Sequence, residues 1–286
     1  MNLVLIHGRD QQGKDKDVLK QLWIDTLNKG LAKKKLSLPA DVNVIFPFYG
    51  DLLDELTRGL DKPKDGITAK GPENGELIVF EAEMYTELAV NAAITDEQIL
   101  QLSPEAKEKG VLNWEWIQAI LKALDENTGM GDWSLRRFTK DVFAYLYFDG
   151  VRSQINKLIL DEMKEGPTVV VGHSLGSIVG YNILQECPLK VHEYITIGSP
   201  LGLRAVTKKL TKPLKRPSCI KKDWYNAFDT GDYVALNPLD NRYFNITPSI
   251  INSGHISNHT KNQHGIEGYL NDADVAERIY KALTSK

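Results

Sequence analysis

The chain has 286 residues, of which 42% are hydrophobic and 26% are charged, and its formal net charge is −3. This length suits one large α/β domain with an insertion, or two small domains. The balanced charge gives no reason to expect a nucleic acid as a partner, and no apolar run approaches the roughly 20 residues that span a bilayer.

Two features concern the cellular environment of the chain. The N-terminus enters an apolar segment directly, without the basic stretch and apolar core of a signal peptide. The only cysteines, Cys187 and Cys219, form neither a disulfide framework nor a zinc-binding pattern. We therefore expect reduced thiols, a cytoplasmic location and no integral membrane segment.

A strand, a helix and a second strand are predicted at the start of the chain. Residues 3–6 are apolar throughout, which is typical of a strand buried on both faces of a parallel sheet. Asp17 is placed to cap the helix that follows. The apolar face of that helix contains Val18, Leu19, Leu22, Trp23, Leu27 and Leu31. Residues 42–46 predict the second strand, and the aromatic side chains of residues 47–50 are expected either to line a pocket or to pack under an insertion.

A long region without strand patterns comes next. Residues 51–60 predict a short helix, and residues 61–75 form a break that is rich in Lys, Asp, Gly and Pro. A second break covers residues 126–132. Between the two breaks, helical patterns cover residues 77–94, 96–102, 104–109 and 113–124. The region is therefore expected to be entirely helical.

These breaks suggest a division into a core and an insertion. We predict that residues 61–137 form a helical cap or lid insertion, and that residues 1–60 and 138–286 form the core. The expected fold is α/β, with a mostly parallel central sheet flanked by helices. The insertion carries apolar and aromatic residues such as Trp114 and Trp116, so it is expected to cover a site at the sheet edge.

The motif that indicates a specific local structure most clearly is Gly-His-Ser-Leu-Gly at residues 172–176. A β-branched run precedes it, and an apolar pattern with helical spacing follows it. In a sharp strand-to-helix turn the serine adopts a strained backbone, and larger side chains two residues away on either side would collide with it. The alternative is a plain strand-to-helix turn without chemistry.

Acidic and histidine residues lie in the later loops. A strand at residues 224–228 runs into Asp229 and Asp232, and residues 244–253 contain a possible strand interrupted by Pro248. Three histidines, His255, His259 and His264, precede the final helix at residues 273–283. Their spacing matches no helical or finger-type zinc site, so we expect no metal.

The strand, the Gly-His-Ser-Leu-Gly turn and the helix together resemble the nucleophile elbow of lipases and esterases in the α/β-hydrolase family. The resemblance covers residues 1–48 and 163–286, and it implies the chain order nucleophile, acid, histidine. Ser174 would be the nucleophile. Asp232 is favoured over Asp229 as the acid, and His264 is favoured over His259 and then His255 as the base.

The same resemblance suggests an oxyanion hole. A His-Gly pair after an early strand marks the loop that supplies one backbone N–H in this family, and here the pair is His7-Gly8. The donors would be Arg9, or its neighbour Asp10, together with Leu175 directly after the nucleophile.

These residues imply a serine hydrolase that cleaves a small-molecule or lipid ester of a carboxylic acid through an acyl-enzyme on Ser174. The reaction needs no cofactor. An apolar cap would favour medium-chain esters over acetate. The alternatives are an acyltransferase with the same residues, or a hydrolase-fold protein that binds a ligand or partner without turnover.

Overall fold

The computed structural model describes residues 1–60, 74–104, 106, 113–129, 131–260 and 262–285. Across these residues six strands form one sheet, in the order β2-β1-β3-β4-β5-β6, and every neighbouring pair is parallel. The strands are β1 (Asn2–Ile6), β2 (Asn43–Ile45), β3 (Thr168–His173), β4 (Val191–Ile197), β5 (Trp224–Asp229) and β6 (Ile251–Ile256). The predicted α/β class with a parallel central sheet is confirmed.

Eleven α-helices lie in the described parts of the chain. They are α1 (Lys16–Lys33), α2 (Gly50–Leu60), α3 (Asn74–Asn91), α4 (Asp96–Leu102), α5 (Trp114–Thr128), α6 (Asp132–Tyr147), α7 (Asp149–Glu162), α8 (Leu175–Glu186), α9 (Arg204–Thr207), α10 (Ile266–Leu270) and α11 (Ala273–Thr284). None of these helices has both the length and the apolar character needed to cross a membrane.

The sheet separates two hydrophobic layers because successive side chains of a strand point to opposite faces. In β1, Leu3 and Leu5 pack into the layer formed by α1, α10 and α11. Val4 and Ile6 pack into the layer that contains α8 and the helices between β2 and β3. Both faces are therefore covered, which explains why residues 3–6 of β1 are all apolar.

The region between β2 and β3 is helical wherever it is described, as the sequence predicts. Helix α3 packs against α5 and α6, and α2 contacts α6 and α7. The predicted division at residues 137 and 138 falls inside the continuous helix α6. Most of the predicted break at residues 61–75 and of the predicted helix at residues 104–109 lies outside the described residues.

The prediction that Asp17 caps the first helix is wrong. The cap is Asp15, whose side chain accepts hydrogen bonds of 2.9 Å from the backbone N–H groups of Asp17 and Val18. Asp15 has the extended backbone of a capping residue, whereas Asp17 lies in the first turn, where its charge faces the positive end of the helix dipole. The apolar face is also narrower than predicted, because Val18 is 70% exposed and Leu22 is 39% exposed.

The last strand and the aromatic residues after β2 also bear on predictions from the sequence. The last strand is β6, which begins after Pro248 rather than spanning residues 244–253, and Phe244 instead packs edge-on against Trp224. Of the aromatic residues that follow β2, Tyr49 is fully buried and stacks on His7. Tyr49 therefore belongs to the packing beneath the insertion.

Candidate active site

Ser174 occupies a strained turn between β3 and α8. Its φ of 54° and ψ of −129° are rare for a residue with a side chain, and such strain costs about 1–3 kcal/mol. A Cβ atom on Gly176 would lie 2.2 Å from the carbonyl oxygen of Ile6, and one on Gly172 would lie 2.8 Å from that of Gly176. Only glycine fits at both positions, so the packing fixes where the Ser174 hydroxyl lies.

A chain of hydrogen bonds starts at this hydroxyl. The distance from Ser174 Oγ to His264 Nε2 is 2.7 Å, and the distance from His264 Nδ1 to Asp232 Oδ2 is 2.8 Å. A carboxylate can only accept, so Nδ1 carries the proton and Nε2 accepts from the serine. Ser174 and Asp232 are each 2% exposed. The arrangement suits proton transfer from a serine to a histidine that an acid holds in one tautomer.

Parallel topology explains why three distant residues meet. Ser174 follows β3, Asp232 follows β5, and His264 lies in the loop between β6 and α10. Because the strands all run the same way, these loops emerge at the same edge of the sheet. This is the usual place for ligand sites in open parallel sheets.

The alternative acid and base residues lie elsewhere. Asp229 accepts hydrogen bonds from the backbone N–H groups of Gly231 and Asn258, so its carboxylate shapes the loop and does not reach the imidazole of His264. His259 is exposed, with its Nδ1 3.4 Å from the Ser257 hydroxyl, and His255 is exposed on β6. The structure therefore brings together Asp232 and His264, which are the two residues favoured from the sequence.

The loop after β1 lies against Ser174. A Cβ atom on Gly8 would come within 3.0 Å of the Ser174 Cβ. His7 Nδ1 donates a 2.6 Å hydrogen bond to the Gly8 carbonyl, while His7 Nε2 accepts from the Tyr49 N–H at 3.1 Å. The C=O and N–H of a trans peptide unit point in opposite directions. The bond from His7 therefore turns the Arg9 N–H away from His7.

The loop after β1 and the start of α8 each carry a backbone N–H group that the sequence suggested as an oxyanion donor. Within the described residues, neither the Arg9 N–H nor the Leu175 N–H donates to a protein group. Leu175 is the first residue of α8, where N–H groups lack partners inside the helix and the dipole is positive. Asp10, the other donor suggested by the sequence, is exposed and has a φ of 63°. Arg9 and Leu175 are thus available to bind a developing oxyanion.

The Arg9 side chain connects this loop to the insertion. Its Nη2 donates a 2.8 Å hydrogen bond to the Ser134 hydroxyl on α6, and its Nη1 is buried without a hydrogen-bond partner in the part of the chain that the structure describes. Burial lowers the pKa of the Arg9 guanidinium, and Asp141 nearby partly opposes this effect.

Two residues that we did not single out from the sequence contact the hydrogen-bond chain. His173 Nε2 donates to the His264 carbonyl at 2.9 Å, and the Tyr269 hydroxyl lies 2.7 Å from Asp232 Oδ2. His173 lies inside the Gly-His-Ser-Leu-Gly motif but occupies a variable position of the pattern. Tyr269 lies on α10, between the apolar residues Ile266 and Leu270. Neither contact has a sequence signal, because both depend on tertiary packing.

A cavity of about 550 Å³ opens beside Ser174. Its lining includes Arg9, Lys14, Gln263 and Ile266. From the described part of the predicted insertion, the lining residues are Thr128, Gly129, Ser134 and Leu135, and Phe138 follows on the same helix α6. The insertion therefore borders the cavity as expected, with both apolar and polar groups.

Trp114 and Trp116, two aromatic residues of the insertion, do not line the cavity. Trp114 is 46% exposed, whereas Trp116 is buried in the core of the insertion. Phe138 lines the cavity instead, with its ring centroid 6.1 Å from that of His264. Helix α6 brings Phe138 to the cavity, while α5 turns Trp116 inward.

No set of three His, Cys, Asp or Glu side chains in the described ranges is arranged to hold a metal ion. Both cysteines are free thiols, and Cys219 Sγ donates to the Leu184 carbonyl at 3.1 Å. In comparisons with known proteins, no family model matches the chain, and no curated protein gives a significant match.

We expect the stability of the protein to fall below neutral pH because of two buried histidines. Burial lowers the pKa of His7 to about 4 and that of His173 to about 3, from an ordinary 6.5. Between about pH 6.5 and 4 the unfolded chain binds these protons and the native state does not. Each histidine should therefore lower the free energy of unfolding by about 1.4 kcal/mol per pH unit in this window.

Urea unfolding at pH 7.5, 6 and 5 measures this slope. The variant His173→Gln keeps a hydrogen-bond donor, and its slope should be smaller by the contribution of one histidine, about 1.4 kcal/mol per pH unit. The control His255→Gln alters an exposed histidine and should keep the slope of the wild type. An unchanged slope in His173→Gln would contradict the assignment of His173 as a neutral buried residue.

Proposed function

We propose that the protein is a serine hydrolase of the α/β-hydrolase type that cleaves a carboxylic ester. The observation that carries the proposal is the continuous hydrogen-bond chain from Ser174 through His264 to the buried Asp232, at the side of a cavity. A protein that only binds a ligand has no need of a serine held in a strained backbone against a histidine acceptor.

The reaction follows from the roles of these groups. Ser174 Oγ attacks the ester carbonyl while His264 Nε2 takes its proton, and Asp232 stabilises the imidazolium that forms. The N–H groups of Arg9 and Leu175 bind the oxyanion, and such a donor is worth about 3 kcal/mol in the transition state. His264 then protonates the leaving alcohol. A water molecule, activated by the same histidine, cleaves the acyl-enzyme and restores Ser174.

The cavity suggests which esters fit. The lining of the cavity includes the apolar side chains of Leu135, Phe138 and Ile266. It also includes the basic residues Arg9 and Lys14. We propose a small-molecule or lipid ester with an acyl chain of medium length as the substrate. A cytoplasmic location is part of the same proposal, since free thiols suit a reducing compartment.

Ser174→Ala should abolish labelling by a fluorophosphonate probe and lower ester hydrolysis by roughly 10⁶-fold, because the nucleophile is lost. A matched control is Ser199→Ala, since Ser199 is equally buried but bonds to Ser177 and lies outside the hydrogen-bond chain. Labelling that persists in Ser174→Ala, or disappears in Ser199→Ala alone, would contradict the assignment.

The choice of acid and base can be tested by paired substitutions. Asp232→Asn should lower kcat by about 10⁴-fold because the imidazole loses its preferred tautomer. His264→Ala should cost about 10⁶-fold. Asp229→Asn and His259→Ala are the controls, and each should retain most of the activity. Circular dichroism would verify that each variant is folded. If Asp229→Asn loses more activity than Asp232→Asn, or His259→Ala more than His264→Ala, the assignment of that acid or base is wrong.

Phe138 is expected to limit the acyl chain. The wild type should hydrolyse medium-chain p-nitrophenyl esters faster than the acetate, because apolar contacts in the cavity bind the longer chain. Phe138→Ala should enlarge the cavity and shift the preference to longer or branched chains, whereas Trp114→Ala should leave the profile unchanged. The same profile in all three proteins would show that the insertion does not select the acyl group.

A further inference from the structure

Tyr269 contacts the acid of the hydrogen-bond chain directly. Its hydroxyl donates a 2.7 Å hydrogen bond to Asp232 Oδ2, the same oxygen that accepts from His264 Nδ1 at 2.8 Å. Asp232 Oδ1 instead accepts from the backbone N–H of Val234 at 3.1 Å. Each oxygen of the carboxylate thus has its own donors, and Tyr269 and His264 both donate to Oδ2.

The tyrosine is itself firmly held. It is fully buried on α10, and its hydroxyl accepts a 3.1 Å hydrogen bond from the Asp229 N–H. A Cβ atom on Gly198 would lie 3.0 Å from Tyr269 Cε2, so the ring packs tightly on this glycine. The hydroxyl therefore has one accepted and one donated bond, and its position relative to Asp232 is determined.

The hydroxyl remains a donor across the working pH range. Burial, followed by the neighbouring charge of Asp232, raises the pKa of Tyr269 well above its ordinary value. A neutral phenol beside an ionised carboxylate makes a charge-assisted hydrogen bond, which is stronger than a bond between neutral groups. This bond withdraws negative charge from the oxygen that faces the imidazole.

We propose that Tyr269 is a positioning residue that fixes Asp232 Oδ2 and weakens its pull on the imidazole proton, so that His264 Nε2 stays oriented to accept from Ser174. In its catalytic consequence the inference rests on the proposed function. Its electrostatic part concerns the pair of Asp232 and His264 alone, whether or not the site turns over a substrate.

Two substitutions at Tyr269 should act in opposite directions. Tyr269→Phe removes one oxygen atom, so the carboxylate attracts the imidazolium more strongly and the midpoint of the His264 titration should rise by about 0.5 pH units. Replacement of Tyr269 by 3-fluorotyrosine makes the hydroxyl a better donor, and the midpoint should fall. A merely structural loosening would not reverse its effect on the midpoint between the two substitutions, because 3-fluorotyrosine keeps both the ring and the hydroxyl.

The titration can be followed by NMR on the whole protein with labelled histidine. The chain has six histidines, and the His264 signal is assigned by its loss in His264→Gln. Tyr145→Phe is the matched control, because Tyr145 is also fully buried and its hydroxyl bonds to Asn156, away from the site. This control should leave the midpoint unchanged.

Kinetics give a second readout. In Tyr269→Phe, kcat should fall about tenfold and the acid limb of the kcat/KM profile should move to higher pH with the NMR midpoint. In an Asp232→Asn background the same substitution should have little further effect, because the tyrosine acts through the carboxylate.

Each outcome is decisive. If neither Tyr269 variant moves the midpoint relative to Tyr145→Phe, or both move it the same way, the inference is overturned. If Tyr269→Phe does not fold, the 3-fluorotyrosine protein decides alone, since it keeps both ring and hydroxyl. If the wild type neither reacts with a fluorophosphonate nor hydrolyses esters, the proposed function is wrong. The titration by NMR still tests the role of Tyr269 in that case.

Discussion

The close approach of the first turn of α8 to the end of β1 is the constraint on which the rest of the site depends. Gly176 lies directly against the carbonyl groups of Ile6 and His7, where any side chain would collide. This contact fixes the strained turn at Ser174 and places the following loop, with Gly8, beside the serine. One backbone contact thus positions the hydroxyl and the N–H groups of Arg9 and Leu175. The strain of the turn is tolerated because three buried elements, β1, β3 and α8, determine it together.

Much of the fold could be predicted because its signals are local. The continuous apolar run of β1 and the β-branched run of β3 reflect burial on both faces of a parallel sheet, and the helices of the insertion follow their apolar spacing. Predictions failed where neighbouring residues competed for one role. Asp15 and Asp17 can both cap a helix, and only the backbone conformation distinguishes them. Similarly, apolar spacing does not tell whether Trp116 or Phe138 faces the cavity.

The site itself was predictable to the extent that chain order reflects topology. Parallel strands deliver the loops after β3 and β5 and before α10 to one edge, so Ser174, Asp232 and His264 were expected to meet, and the structure joins them by hydrogen bonds. Their catalytic roles stay a prediction. The contacts of His173 and Tyr269 could not be foreseen, because a hydrogen bond between residues more than 30 positions apart leaves no periodic signal.

The bond between the Arg9 guanidinium and the Ser134 hydroxyl has a mechanical consequence. The backbone N–H of Arg9 belongs to the loop beside Ser174, and the Arg9 side chain bonds to the insertion. Any displacement of α6 must either break this bond or pull on the loop that carries the N–H. Helix α6 and the loop after β1 therefore do not move independently. A displacement of α6 that widened the cavity would therefore also shift the loop beside Ser174, and the original geometry would return when the bond re-forms.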